Sequence, residues 1–114
     1  MEVTNYQKGL WAESFAKGYF CMKGYSLLEE RFKTPSGEID LILRRGKKLV
    51  FVEVKMRKTL ENAAESINYR NQQRVSRAAE LYLQKHSEYN NFEMRFDALV
   101  LAPYKWPHHI ENAW

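Results

Sequence analysis

The stretch "GEIDLILRRGKKLVFVEVK", residues 37–55, sets two apolar segments around a basic turn, yet each segment carries acids where a core would exclude them. Its alternation predicts two strands, about 38–44 and 49–55. Paired antiparallel with Leu43 opposite Val50, the ribbon gains one apolar face from Ile39, Leu41, Leu43, Val50, Val52 and Val54. The other face then sets Ile42 against Phe51, Asp40 against Glu53 and Glu38 against Lys55. A slip of one residue would put Ile39 against Glu53 and mix the faces, so the pattern itself selects the register.

In that register the Asp40 and Glu53 Cβ atoms are about 5 Å apart, and like charges directly opposite are destabilising. One reading is a solvated face on which water screens the repulsion. Ile42 and Phe51 on the same face count against it, because they call for a covering helix. The other reading is a divalent cation, since two carboxylates at this spacing make a hard-oxygen site of the kind Mg²⁺ uses with waters. Lys55 follows Glu53 by two residues and shares its face. An ammonium there can orient a water or offset charge growing on a phosphoryl oxygen.

Outward from the hairpin, residues 6–23 read as a helix with Ala12, Ala16 and Phe20 at four-residue spacing. Residues 25–34 read as a strand and Thr34–Gly37 as a turn. From Leu60 to Lys85 the pattern is helical, with Val75, Ala78, Ala79 and Tyr82 as its apolar stripe. Residues 93–102 form a further strand, and the tail is a loop with a short extended piece. The order α-β-β-β-α-β predicts an α/β fold, a mixed sheet with helices packed on it. With 114 residues and no repeat or linker tract, a single domain over 1–114 is expected.

A hydrophobic content of 45% with 14% aromatics is that of a folded chain. No apolar run approaches the roughly 20 residues that span a bilayer. The first residues carry acids and lysines, unlike a signal peptide. Cys21 is the only cysteine, which excludes an internal disulfide and a cysteine-rich zinc site. A cytoplasmic protein is expected. The net charge of +4 favours a polyanionic partner, and the cations cluster at Arg44, Arg45, Lys47 and Lys48, at Lys55, Arg57 and Lys58, and at Arg70, Arg74 and Arg77. The basic turn reads as a phosphate clamp or simply as a soluble hairpin. His108 and His109 are adjacent, face opposite ways on a strand, and read as surface or edge residues. Arg95 and Asp97 share a face and read as an ion pair supporting the site. Trp11, Trp106, Trp114, Tyr6 and Tyr104 suit stacking on bases, but in a small domain they are expected in the core first. No phosphate-cradling glycine loop, nucleophilic Ser or Cys arrangement or dinucleotide fingerprint is present.

"GEIDLI" followed by "FVEVKMR", preceded by a helix with "GLWAE" and trailed by "RFD", resembles the YraN-like family of small bacterial proteins. These are predicted to share the PD-(D/E)XK, or restriction-endonuclease-like, three-layer fold and to resemble archaeal Holliday-junction resolvases. The resemblance runs from Gly9 to about Asp97. It implies that Asp40 and Glu53 hold Mg²⁺ or Mn²⁺, with the carbonyl of Val54 as a further ligand, and that Lys55 positions the attacking water. Glu13 would match the first-helix acid that completes the metal site; a boundary residue reaching water past the apolar stripe is its other reading. Gln72 would match a polar residue of the second helix, where an ordinary hydrogen-bonded core glutamine is equally at home. The chain departs from the family at Asn71-Gln72, usually Lys-Gln, and at Glu30-Arg31, usually Arg-Asn.

The expected function is therefore metal-dependent hydrolysis of phosphodiester bonds in structured or branched DNA. DNA is favoured over RNA, with Arg44, Arg45, Lys47, Lys48, Arg57 and Arg74 as nucleic-acid contacts. A twofold homodimer suits cutting both strands. Two alternatives stay open: a non-cutting nucleic-acid-binding module of the same fold, and a protein-interaction domain in which the acids and Lys55 form a buried network.

Overall fold

The computed structural model describes residues 5–114, with side chains from Gly9 onward. Helix α1 (Asn5–Met22) leads into a meander of β1 (Ser26–Thr34), β2 (Gly37–Arg45) and β3 (Lys48–Met56). Helices α2 (Leu60–Glu65) and α3 (Tyr69–Lys85) and a short 3₁₀ turn at Ser87–Tyr89 then carry the chain to β4 (Glu93–Leu101) and β5 (His108–Ile110). The sheet order is β1-β2-β3-β4-β5. The meander is antiparallel, β4 joins β3 in parallel, and β5 closes the edge antiparallel to β4. A parallel pair needs a crossover, and α2–α3 supply it.

Helices cover both faces of the sheet, giving the expected three layers. Ala12, Ala16 and Phe20 of α1 pack on Leu41, Leu43, Val50, Val52, Leu99 and Leu101. Val75, Ala78, Ala79 and Tyr82 of α3 pack on Ile42, Leu49 and Phe51 of the opposite face. The observed pairs Leu41↔Val52, Ile42↔Phe51 and Leu43↔Val50 are those the pattern selects. Arg45↔Lys48 closes the hairpin through a two-residue turn, and Gly46 takes the positive φ of 61° that such a turn demands.

Two expectations are corrected. The helical pattern from Leu60 to Lys85 is two helices, parted at Ser66–Asn68. The Thr59 side chain caps α2 by accepting from Asn62 N at 3.0 Å, and Asn68 caps α3 by accepting from Asn71 N at 3.1 Å. Ile39 also does not share a face with Leu41: it belongs to the α3-side core, with Phe32 packed beside it. The pairs Glu30↔Leu41 and Phe32↔Ile39 hold on either side, but Arg31 and Asp40 between them form no ladder pair. Arg31 adopts a left-handed φ of 51°. Both strands therefore reverse which face they present at this one step, and Asp40 stands at the reversal.

Candidate active site

Beyond Leu41↔Val52 the β2–β3 ladder has no further pairs. Asp40 fills the gap by side chain: its Oδ2 accepts the Val54 N–H at 2.8 Å. Burial pushes the Asp40 carboxyl up to about 7, and the nearby negative charges of Glu53 and Glu13 add to this against the Val54 hydrogen bond. Glu53 is 7% exposed. Its Oε1 lies 3.1 Å from the Lys55 Nζ, whereas its Oε2 is buried with no hydrogen-bond partner. A carboxylate oxygen sealed from water without a donor is costly, and such an atom calls for an explanation.

Glu38, Asp40, Glu53 and Lys55 line a cavity of about 80 Å³ whose other wall is α3, through Asn71, Arg74 and Val75. The close approach of that wall depends on Gly37, where a Cβ would stand 2.2 Å from the Arg74 carbonyl oxygen. On the α1 side, Glu38 and Asp40 also border a depression with Glu13, Arg31 and Lys33, and Lys55 borders another with Glu13, Val54 and Arg57. The three hollows adjoin at the open end of the hairpin, sharing Glu38 and Asp40, Lys55, and Glu13 in pairs, and together are the trough; Asp40 lines a hollow on each side of the sheet. Glu13 does project toward this trough, and the Arg31 guanidinium holds it in an ion pair.

Of the residues singled out by sequence, Asp40, Glu53, Val54, Lys55, Glu13, Arg57 and Arg74 are thus brought together. Gln72 is placed elsewhere, in a shallow surface hollow with Tyr69, Ser76, Arg77 and Trp114. Asn71 stands at the cavity instead, its Nδ2 donating to Ser66 O at 2.7 Å. Lys33 was not foreseen, and Arg31 and Asn71 were singled out only as departures from the family, because the break before α3 and the kink at Arg31 decide where they point. The turn cations lie at the far end of the ribbon, since five strand residues from Asp40 to Arg45 span roughly 17 Å. Arg44 is spent on Gly46 O and the Phe92 ring, and Arg45 on Lys23 O and the Tyr25 ring.

Among the described residues no three acids, imidazoles or thiols form a ready cluster for a metal ion. What is present still fits Mg²⁺ or Mn²⁺, which bind through one or two carboxylates and keep several waters. The orphaned Glu53 Oε2 and the half-buried Asp40 carboxyl are such a pair. Strand geometry turns the Val54 carbonyl to the same side as its N–H, toward Asp40.

The Arg95–Asp97 pair exists but does not support this site. Asp97 continues the alternation of Leu99 and Leu101, on the sheet face opposite Glu53. Arg95 clasps both its oxygens at 2.8 Å, and Asn112 N donates to it at 3.0 Å. His109, expected at the surface, has a side chain only 4% exposed, with Nε2 2.7 Å from Asp97 Oδ2 and Nδ1 2.8 Å from Lys23 Nζ. An ammonium only donates, so Nδ1 accepts and the ring proton sits on Nε2. Burial alone would raise the Asp97 carboxyl; the bonds from His109, Arg95 and Asn112 outweigh it and hold it below its ordinary value.

Trp114 packs on Phe96 at the edge of the α3-side core, as large aromatics were expected to. Trp11, Trp106 and Tyr104 are instead exposed, and the Tyr6 side chain lies outside the described residues.

The sequence model of the family described as "Uncharacterised protein family UPF0102" matches residues 12–101. Over 114 residues the chain is 45% identical to a UPF0102 protein of Nitrobacter winogradskyi, covering all of this chain and 97% of that relative. It is 45% identical over 112 residues to one of Rhodopseudomonas palustris, covering 98% of this chain and 83% of the relative. A UPF0102 protein of Bradyrhizobium diazoefficiens is 44% identical over 112 residues, covering 98% and 84%.

Proposed function

The chain belongs to the uncharacterised protein family UPF0102, and for this member we propose a metal-dependent nuclease of the PD-(D/E)XK type, hydrolysing phosphodiester bonds in structured or branched DNA. One observation carries the reading: Glu53 keeps a buried oxygen without a donor beside Asp40, whose carboxyl is itself pushed up to about 7. Two acids forced together in this way are explained by a cation that belongs between them. Asp40, Glu53 and the Val54 carbonyl would hold Mg²⁺ or Mn²⁺, and Glu13 would join on release from Arg31. Once bound, the cation lowers the pKa of water and neutralises charge on the phosphoryl group.

The chain's own groups do the rest. Asp40 gives up its proton as the site fills. Lys55, fixed by Glu53, holds a water by its ammonium and turns it toward the scissile phosphorus. Arg74 and Arg57, one on each side of the trough, bind the flanking phosphates as charge-assisted donors. Asn71 offers its amide oxygen at the cavity wall.

A second reading is a nucleic-acid-binding module of the same fold that does not cut. The Glu13–Arg31 ion pair favours it, because it occupies a carboxylate that the metal would otherwise use. Incubation with labelled linear, flapped and four-way DNA, with Mn²⁺ and with chelator, tests the choice. Metal-dependent products that disappear in Asp40→Asn support the nuclease. Salt-sensitive binding with no products under either condition supports the module.

A further inference from the structure

Helix α1 buries Ala12, Ala16 and Phe20 beneath it, and the flank beside that stripe is also apolar. Trp11, Phe15 and Tyr19 follow one another at four-residue spacing on that side, with ring centroids 5.6 and 6.4 Å apart and planes inclined by only 23° and 19°. Trp11 is 55% exposed and Phe15 38%. Beyond them the row opens into a groove of about 820 Å³, whose opposite wall is Trp106, itself 91% exposed. Among the described residues the charged groups lining that groove are Lys105 and Lys23, the latter held on His109 Nδ1, and no carboxylate lines it. The trough meets the same helix on its other flank, at Gly9, Ala12 and Glu13, level with the Trp11 end of the row.

We propose that this aromatic row and groove bind the unpaired bases of a single-stranded DNA segment that continues toward the trough. Tyr19 is half-buried against the core, but Trp11, Phe15 and Trp106 are exposed. Exposed rings with a lysine rim are the elements by which proteins hold single strands, bases on the π faces and phosphates on the cations. A second copy of the chain fits less well, because it would bring its own Lys23 and Lys105 to a rim that has no acid among the described residues to receive them. The proposal rests on the nuclease or binder reading only for the site that the strand leads to. The groove is a binding surface in either case.

The test uses the full chain in chelator, so that no cleavage intervenes. Binding of a labelled thymidine oligonucleotide and of a labelled blunt hairpin duplex is followed by anisotropy for wild type, Trp106→Ala, Trp106→Tyr and Phe15→Ala. Loss of one stacking ring should weaken the oligonucleotide by about tenfold and leave the duplex within twofold, and Trp106→Tyr should restore most of the loss. Equal weakening of both DNAs, or none of either, overturns the proposal. So does a wild-type dimer in sedimentation that Trp106→Ala converts to monomer, which would assign the face to a contact between copies. Mn²⁺-dependent cleavage is assayed separately: ring-dependent binding without cleavage leaves the groove standing and removes the nuclease, and cleavage without ring dependence does the reverse.

Discussion

Asp40 accepts the main-chain N–H of Val54 at the step where the β2–β3 ladder stops. A side chain does there what a backbone carbonyl does elsewhere in the hairpin. Its carboxyl is thereby held in the gap between two strands, and burial pushes it up from 3.8 to about 7. A folded-state value above the unfolded one means that stability is fully present below about pH 4 and lost as pH rises through 7. At about 1.4 kcal/mol per pH unit of displacement, the cost of ionising Asp40 without metal is at most roughly 4 kcal/mol. Metal-free Asp40→Asn should therefore lose less stability than wild type between pH 5 and 8, and should show no Mn²⁺-induced rise in melting temperature. Equal pH slopes in chemical denaturation would count against the metal site.

Lys55 serves catalysis on this reading more than it serves binding of the cation. Lys55→Met should abolish cleavage while leaving Mn²⁺ affinity equal or higher, because a competing charge is removed. Without metal it should cost several kcal/mol, since Glu53 loses its one ion-pair partner in a buried setting. Calorimetric titration with Mn²⁺ and a cleavage assay on the same preparation separate the two effects.

Gly37 sets how near α3 comes to the sheet. Gly37→Ala would drive a Cβ into the Arg74 backbone, and overpacking of this kind costs about 1–3 kcal/mol. Gly18, mid-helix and with nothing within 4 Å of where a Cβ would stand, is the control: Gly18→Ala should raise stability by up to about 1 kcal/mol. Thermal melts of both variants check the pair, and opposite signs are expected.

The two basic regions should separate in salt titrations of DNA binding. Arg57→Ala with Arg74→Ala should lower the slope of log affinity against log salt by about 0.9 per lost phosphate contact. Arg44→Ala with Arg45→Ala should lower stability through the lost packing on Phe92 and Tyr25, with little change in slope. A larger slope change from the turn arginines would return the phosphate contacts to the hairpin tip.

The hairpin was legible because a slip of one residue would mix its two faces, and the pairs Leu41↔Val52 and Ile42↔Phe51 avoid that. The reversal at Asp40 was not, because it depends on the left-handed turn of Arg31 in the neighbouring strand. The break in the long helical pattern was written locally in Thr59 and Asn68, but the apolar stripe reads through both caps. That break also sets the phase of α3, and one helical residue, about 100° of rotation, is the difference between Asn71 at the cavity and Gln72 outside it. His109 gave no local sign of burial, since its partners Asp97 and Lys23 arrive from other elements. Nor could the exposure of Trp11 and Phe15 be told from the sequence, because they flank the buried stripe of α1 and Tyr19 in the same row does pack on the core.

The parallel placement of β4 beside β3 has a consequence for the order of assembly. The meander needs only short turns, whereas the Lys48↔Glu93 pairing must wait until both crossover helices are laid down. Asp97 enters the interior with that strand and needs Arg95, His109 and Asn112 at once, so β4, β5 and the last residues should dock as one late cooperative unit. In native-state hydrogen exchange their amides should open together and before those of β2–β3; independent opening of β5, or earlier loss of the hairpin, would contradict this. Asp40, Glu53 and Lys55 would then be arranged on the nascent sheet ahead of the helix that walls them in.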